Sequence, residues 1–423
     1  MKKIISLIAL LAVIATVVGY SGANPVFIGM NAVKAAEIKF VESMPEETVY
    51  GSDLTARPVP IWLDMINGAT KTLDFEEFYI ANKPGEVLEP VLTAIKVAAA
   101  RGVQVRFIVE KSMMEETSKT LPSLQEQENI ETRVISFREI AGGVQHAKFF
   151  IADGREVYVG SQNFDWRSLS QIHEIGARIS IDRAARDFGE IFADDWAMAG
   201  GASPSEVFQA NRTRSETDEP VTSKNPEEAL VDGKPVSYYL AFSPQGYIPS
   251  GFDDELDIML ELINSAKSTI QAQVMTYSLH QHGQDSRWEE LDKALRDAGQ
   301  RGVKVELIFT DWAMGGKADE DIKSLARAEN VTIKISALPQ NSRGFVPYSR
   351  VDHSKYLVFD GDQAMISTSN WGPDYFLKTR GAALIVDGAD GAAPLEDVFR
   401  RSWTGPYVSP VDQEKTYEPV KRY

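Results

Sequence analysis

The chain has no cysteine. Disulfides, zinc-thiolate sites and thiol nucleophiles are therefore excluded. Histidine is scarce too, with five among 423 residues. Acidic groups are missing from the first 36 residues, where Lys2 and Lys3 precede an apolar run from Ile4 to Gly19. Small-residue sites follow near Ala23 and at Val33-Lys34-Ala35-Ala36. This pattern predicts a secretory signal peptide over 1–36, with an uncleaved membrane anchor as the alternative. In both cases the body is expected to be exported, to a periplasmic, extracellular or lumenal space. Basic charge is in deficit: the net charge is −17, and −20 without the three lysines of that first segment. Such a field repels polyanions and anionic membranes at long range. A broad basic nucleic-acid-binding face is not expected, so any grip on phosphate must be local.

What remains is a globular composition, 43% hydrophobic and 25% charged, in a chain long enough for two domains. The sequence states one pattern twice. His146-Ala-Lys148 is followed by Asp153 and by Gly160-Ser161-Gln-Asn163; His353-Ser-Lys355 is followed by Asp360 and by Ser367-Thr368-Ser369-Asn370. Both copies read H-x-K-x4-D, and in both the asparagine stands 17 residues after the histidine. The duplication extends upstream. Thr72 to Glu76 and Thr269 to Val274 alternate as strands do. The helical stretches Pro90 to Ala100 and Leu291 to Gln300 run into Arg101-Gly102-Val103 and Arg301-Gly302-Val303, where glycine ends the helix and a strand begins.

Each half is thus expected to be an α/β sandwich with a mixed sheet: residues 37–200, a Ser/Pro/Glu-rich linker over 201–235 with a short helix near Pro226 to Leu230, and residues 236–423. Val144 to Ile151 and Val157 to Gly160 are expected as strands joined at Asp153-Gly154, with Tyr356 to Phe359 and Ala364 to Ser367 repeating the plan around Asp360-Gly361.

Cleaving a phosphodiester needs a nucleophile, an acid for the leaving group and cations for the developing charge. Alternation sets His146 with Lys148 on one face, and His353 with Lys355. Two copies facing each other supply the full set. The amides of Asn163 and Asn370, with the hydroxyls of Ser161, Thr368 or Ser369, can hydrogen-bond the same oxygens. Asp153 and Asp360 are expected to be structural, capping backbone amides at their turns.

This pattern resembles the phospholipase D superfamily over nearly everything from Ile61 to Tyr407. Gly160-Ser-Gln-Asn-Phe-Asp-Trp-Arg-Ser168, Thr368-Ser-Asn-Trp371, Asp374-Tyr375-Phe376 and Val351-Asp-His-Ser-Lys-Tyr356 are similar to the lysosomal phospholipase D3/D4 exonuclease and poxvirus nuclease branch. The resemblance implies tandem sandwich domains with one site at their pseudo-twofold junction, no metal or other cofactor, and a phosphohistidine intermediate. It implies His146 as nucleophile and His353 as acid, with the opposite assignment open. It also implies that Glu174 hydrogen-bonds a catalytic imidazole; the matching place in the second half is Gly381, so the two histidines are expected to have unequal surroundings. Ser367 departs from the family glycine seen at Gly160.

Weaker candidates carry plainer readings. His280 and His282 are expected in a surface loop rather than as metal ligands. His173 is expected to be structural, and Glu76 and Glu77 not to form a catalytic pair. Trp166, Trp371, Tyr375 and Phe376 flank the phosphate loops; Trp371 and Tyr375 are the candidates for lining a base slot or an acyl groove. The expected substrate is a phosphodiester, either a single-stranded nucleic-acid end or a phospholipid head group, with no protein partner evident. A non-catalytic, phosphate-binding envelope protein is the remaining alternative.

Overall fold

The computed structural model describes residues 36–208, 219–281, 283 and 287–423. The signal-peptide expectation falls almost wholly outside these residues. Strand alternation and glycine punctuation place the repeated elements where the sequence predicts them. In the first half the strands are ordered Ile130–Ile135, Gln104–Glu110, Thr72–Glu77, Phe149–Ala152, Glu156–Gly160, Glu174–Ser180, Glu37–Ser43. The second half repeats that order with Val331–Ser336, Lys304–Thr310, Thr269–Val274, Lys355–Phe359, Gln363–Ser367, Gly381–Asp387 and Lys234–Ser243. The first three strands of each sheet are parallel and the rest antiparallel. Helices Pro58–Gly68 and Glu89–Ala100 cover the first sheet, and Glu255–Ser265 and Glu290–Gln300 take the matching places in the second. Gly102 and Gly302 leave their helices at φ +96° and +89°, a turn that L side chains resist.

The segment expected to link the halves is partly sheet. Glu227–Val231 is a strand, not a helix, and pairs with Lys234–Ser243 across a two-residue turn, Asp232-Gly233, both at positive φ. Ala229 and Val231 turn inward and are buried. The outer strand of this hairpin also runs parallel to Glu37–Ser43, with Glu37 opposite Leu230. A short helix lies earlier, at Pro204–Phe208. Ala35–Tyr423 accordingly forms one compact unit in which the two sheets are continuous through the hairpin.

Both Asp-Gly turns of the motif behave alike. Asp153 (φ +54°) accepts backbone N–H bonds from Thr70, Lys71 and Thr72 at 2.7–3.1 Å. Asp360 (φ +55°) accepts them from Lys267, Ser268 and Thr269 at 2.7–2.9 Å. Burial tends to raise these carboxyls, but the amide bonds hold both below their usual value. Each aspartate ties its hairpin to the start of the neighbouring strand and lies away from the imidazoles.

Candidate active site

Two features of each half converge. The histidine segments are extended but stand just ahead of the ladder: the strand expected from Val144 begins only at Phe149, and Lys355 is the first residue of its strand. The reason is that both segments bond across to the opposite half instead of along their own sheet. His146 N–H donates to the Arg380 carbonyl at 3.0 Å, and His353 N–H donates to the His173 carbonyl at 2.8 Å. The side chains cross as well. His146 Nδ1 lies 2.9 Å from the carbonyl oxygen of Thr368, in the second half's phosphate loop. His353 Nδ1 lies 2.9 Å from Glu174 Oε2 in the first half, and also meets the backbone of Ser161. Thr368 and Ser161 hold matching places in their loops. Each imidazole is therefore oriented by the half it does not belong to.

The electrostatics follow from crowding cations in a buried place. Burial, then Lys148 and Lys355, push His146 well below the usual imidazole range. Burial and the same two lysines do so to His353. Burial lowers Lys148, helped by Lys355, and lowers Lys355 to about 7 despite the nearby Glu174. Burial raises Glu174 to about 8, against the pull of Lys355. Both ammonium groups donate to the carbonyl of the histidine two residues before them. Such a site gains from any anion placed between the imidazoles, because the anion relieves the mutual repulsion.

Asn163 and Asn370 are buried beside the histidines, with Oδ1 atoms that meet no protein donor among the described residues. The loop hydroxyls are engaged elsewhere. Ser161 Oγ exchanges bonds with the Ile175 backbone at 3.1 and 3.2 Å, Thr368 Oγ accepts from Ala382 N at 3.0 Å, and Ser369 Oγ donates to Glu255 at 2.9 Å. Ser161 and Ser369 thus spend their hydroxyl protons within the protein, whereas Thr368 Oγ acts as an acceptor towards Ala382. Trp371 does not line the site: it is 1% exposed and packs on Tyr277 and Phe309 in the core. Tyr375 is half-buried with its ring 5.2 Å from that of His146. Trp166 and Phe376 are core residues.

Two buried ion clusters stand behind the site at matching positions. His173, preceding Glu174, sits between Asp352 (2.8 Å) and Glu42 (3.1 Å) and stacks on Tyr50. Burial lowers it, but the two carboxylates win and raise it to about 9. Arg380, preceding Gly381, forms a bidentate pair with Asp195 at 2.7 and 2.8 Å. Glu76 belongs to that cluster through Asp195 and accepts from Gln145, and Glu77 lies beside Lys148, so they form no carboxylate pair in the cleft. His280 faces Asp321 at 3.6 Å, and His282 lies outside the described residues. A cleft of about 630 Å³ leads to His353 and Asn163 between Phe78, Tyr79, Trp312 and Tyr348, with Arg167 on its wall. Arg167 is held by Asp165 and by Glu116. Sequence reasoning missed Arg380–Asp195, Arg167 and Glu255. Only Arg167 had a signal, its place four residues after Asn163, in the short helix Trp166–Ser170.

Comparison with known proteins settles the family. The model described as cardiolipin synthase, PLD-like domain, matches residues 62–196 and 259–403. The chain belongs to the phospholipase D-like family. Among curated phospholipase D-like relatives, the human and bovine proteins named 5'-3' exonuclease PLD3 are each 32% identical over 407 residues, covering 89% of this chain and 81% of theirs. A Caenorhabditis elegans protein named probable phospholipase D F09G2.8 is 28% identical, covering 82% of this chain and 66% of that one. The fold is shared with phosphatidylserine synthase of Haemophilus influenzae Rd KW20, at a TM-score of 0.58 and 13% identity over 84% of this chain and 85% of that one. The phospholipase D-like chain is thus a phosphodiesterase of this superfamily, similar in sequence to the exonuclease branch.

Proposed function

We propose that this phosphodiesterase is exported and removes nucleotides from the ends of single-stranded nucleic acid through a phosphohistidine intermediate, without a metal. One observation carries the mechanism: the two imidazoles have different partners on Nδ1. A carbonyl oxygen only accepts, so the Thr368 contact requires His146 to carry its proton on Nδ1. Its Nε2 then holds a lone pair, and its lowered pKa keeps the ring neutral. That is the state of a nucleophile. His353 is lowered as well, and what sets it apart is the carboxyl group on its Nδ1, which stabilises the imidazolium as a general acid forms it. In this reading His146 attacks phosphorus and the P–O bond to the leaving oxygen breaks as His353 Nε2 gives it a proton. Water deprotonated by His353 then attacks the phosphohistidine and releases His146. Lys148, Lys355, Asn163 and Asn370 hold the non-bridging oxygens throughout.

The substrate rests on the similarity to proteins named 5'-3' exonuclease and on charge. A body of −20 tolerates a short end in a local cationic pocket better than a long duplex or an anionic membrane. The walls of Phe78, Tyr79, Trp312 and Tyr348 suit stacked bases. The test is turnover of the secreted form on 5'-hydroxyl and 5'-phosphate oligonucleotides beside phosphatidylcholine, phosphatidylglycerol and cardiolipin, in excess EDTA. Shortened oligonucleotides with intact lipids are expected. Released head groups with intact oligonucleotides would replace the nuclease by a phospholipase D, and activity restored only by added zinc would overturn the metal-free mechanism.

A further inference from the structure

We infer that Glu255 is a positioning residue for His146, holding the second phosphate loop from behind; the inference rests on the two-histidine mechanism above. The starting point is an asymmetry. The first half opens its strand with Glu174, which reaches His353, whereas the second half has Gly381 at that place. A β carbon at Gly381 would come within 2.5 Å of Ser243 Oγ and Ser369 Oγ and within 2.7 Å of Glu255 Oε2. The room that a side chain at 381 would need is taken by a carboxyl group delivered from the first residue of the helix Glu255–Ser265. The matching helix of the first half opens with Pro58.

Glu255 is fully buried, and its contacts are hydroxyls rather than a cation. Ser243 Oγ and Ser369 Oγ each lie 2.9 Å from Oε2, and Ser367 Oγ donates to Oε1. Ser367 Oγ in turn accepts the Ser369 N–H at 2.8 Å. Two of these three serines, Ser367 and Ser369, flank Thr368, whose carbonyl receives His146 Nδ1–H. Thr368 is also pinned to Ala382, through N–H to carbonyl and through Oγ, both at 3.0 Å. The carbonyl has no freedom to turn while both neighbours are tied. The second motif's serine in place of glycine is thereby explained: Ser367 supplies the hydroxyl that joins the loop to Glu255, while Gly160 is glycine because a β carbon there would sit 2.6 Å from Gly176 Cα. Burial raises Glu255 to about 7, so it carries a folding cost that packing alone does not require. Each half thus has a buried carboxyl behind its imidazole partner. One touches the ring of His353; the other fixes the carbonyl that orients His146.

The experiment compares Glu255→Ala, Glu255→Gln and Ser367→Gly with wild type. Turnover of bis(p-nitrophenyl) phosphate, thermal melting and ring resonances of isotope-labelled histidine are measured, with His146 assigned through His146→Asn. Glu255→Ala should lower kcat by about 10²-fold with KM within about threefold, the scale of a misplaced reacting group. Glu255→Gln, which still accepts hydroxyl bonds, should recover most of that loss, and Ser367→Gly should fall between. The His146 Nδ1–H resonance should move in Glu255→Ala while that of His353 stays. An unmoved His146 signal, or a kcat within twofold of wild type, would overturn the role. So would a loss that Gln fails to restore and that tracks melting. An inactive wild type would end the phosphodiesterase reading instead, and the resonances would still decide where Glu255 acts.

Discussion

Replacing Glu174 tests how the site makes its two histidines unequal. The carboxyl is fully buried, and its Oε2 is 2.9 Å from His353 Nδ1. A hydrogen bond to a charged group contributes about 1.5–3 kcal/mol. The bond gains its charge only when His353 becomes an imidazolium, so its loss falls on the transition state. At about 1.4 kcal/mol per tenfold, Glu174→Ala should lower kcat roughly 10- to 150-fold. Glu174→Gln, which keeps an acceptor but no charge, should lose less. Stability should move the other way. Glu174 is raised to about 8 in the folded protein, so between the usual 4.5 and that value the folded state keeps a proton that the unfolded state has released. Folding then loses stability as pH rises through this window, and a glutamine does not. The melting temperature of Glu174→Gln relative to wild type should increase from pH 5 to pH 8. Steady-state kinetics and calorimetry read both effects. Turnover by Glu174→Ala within about threefold of wild type, or a melting difference that shrinks as pH rises, would refute the reasoning.

Removing His353 should slow formation of the phosphohistidine about 10²–10⁴-fold on a substrate with an alkoxide leaving group and much less with p-nitrophenolate, which leaves without a proton; equal slowing of this first step on both, read from the pre-steady-state burst, would deny its role as acid. The kcat/KM profile should fall as pH rises through about 7, where free Lys355 loses its proton and with it the attraction for an anionic substrate. The acid limb should lie well below 6.5, where His146 becomes protonated. A flat profile from pH 6 to 9 would contradict the Lys355 assignment, and an acid limb at or above 6.5 would contradict that of His146. Asp153→Ala should lower stability by roughly 1.5–3 kcal/mol through three lost amide bonds, with kcat of the folded enzyme changed less than about twofold. Denaturant melts and active-site titration measure these separately.

What the sequence disclosed follows from where the information sits. The site itself was legible because its residues recur at fixed spacing: His146 with Lys148, and His353 with Lys355, need no long-range knowledge to find. The parallel strands were legible because Gly102 and Gly302 mark helix ends by a conformation that few residues adopt. The hairpin at Asp232-Gly233 was hidden within a polar stretch, where its turn signal outweighed the composition. Trp371 was misjudged because adjacency to Asn370 says nothing about direction; its ring turns away, toward Tyr277 and Phe309. Of the crossed supports only Glu174 was expected, and the others left no trace at all. They are made by backbone carbonyls of Thr368, Arg380 and His173, which any residue type would supply. Glu255 was invisible for another reason: it meets Ser367 across 112 residues of chain, and nothing nearby in sequence links them.

Mixing enzyme with a substrate whose phosphoryl group is labelled, quenching within milliseconds and mapping the attached label tests the crossed two-histidine site most directly. Label is expected on His146, acid-labile, absent from His146→Asn and formed more slowly in His353→Asn. An active enzyme that carries no label on either histidine would contradict the account, because water would then attack phosphorus without help from an imidazole nucleophile.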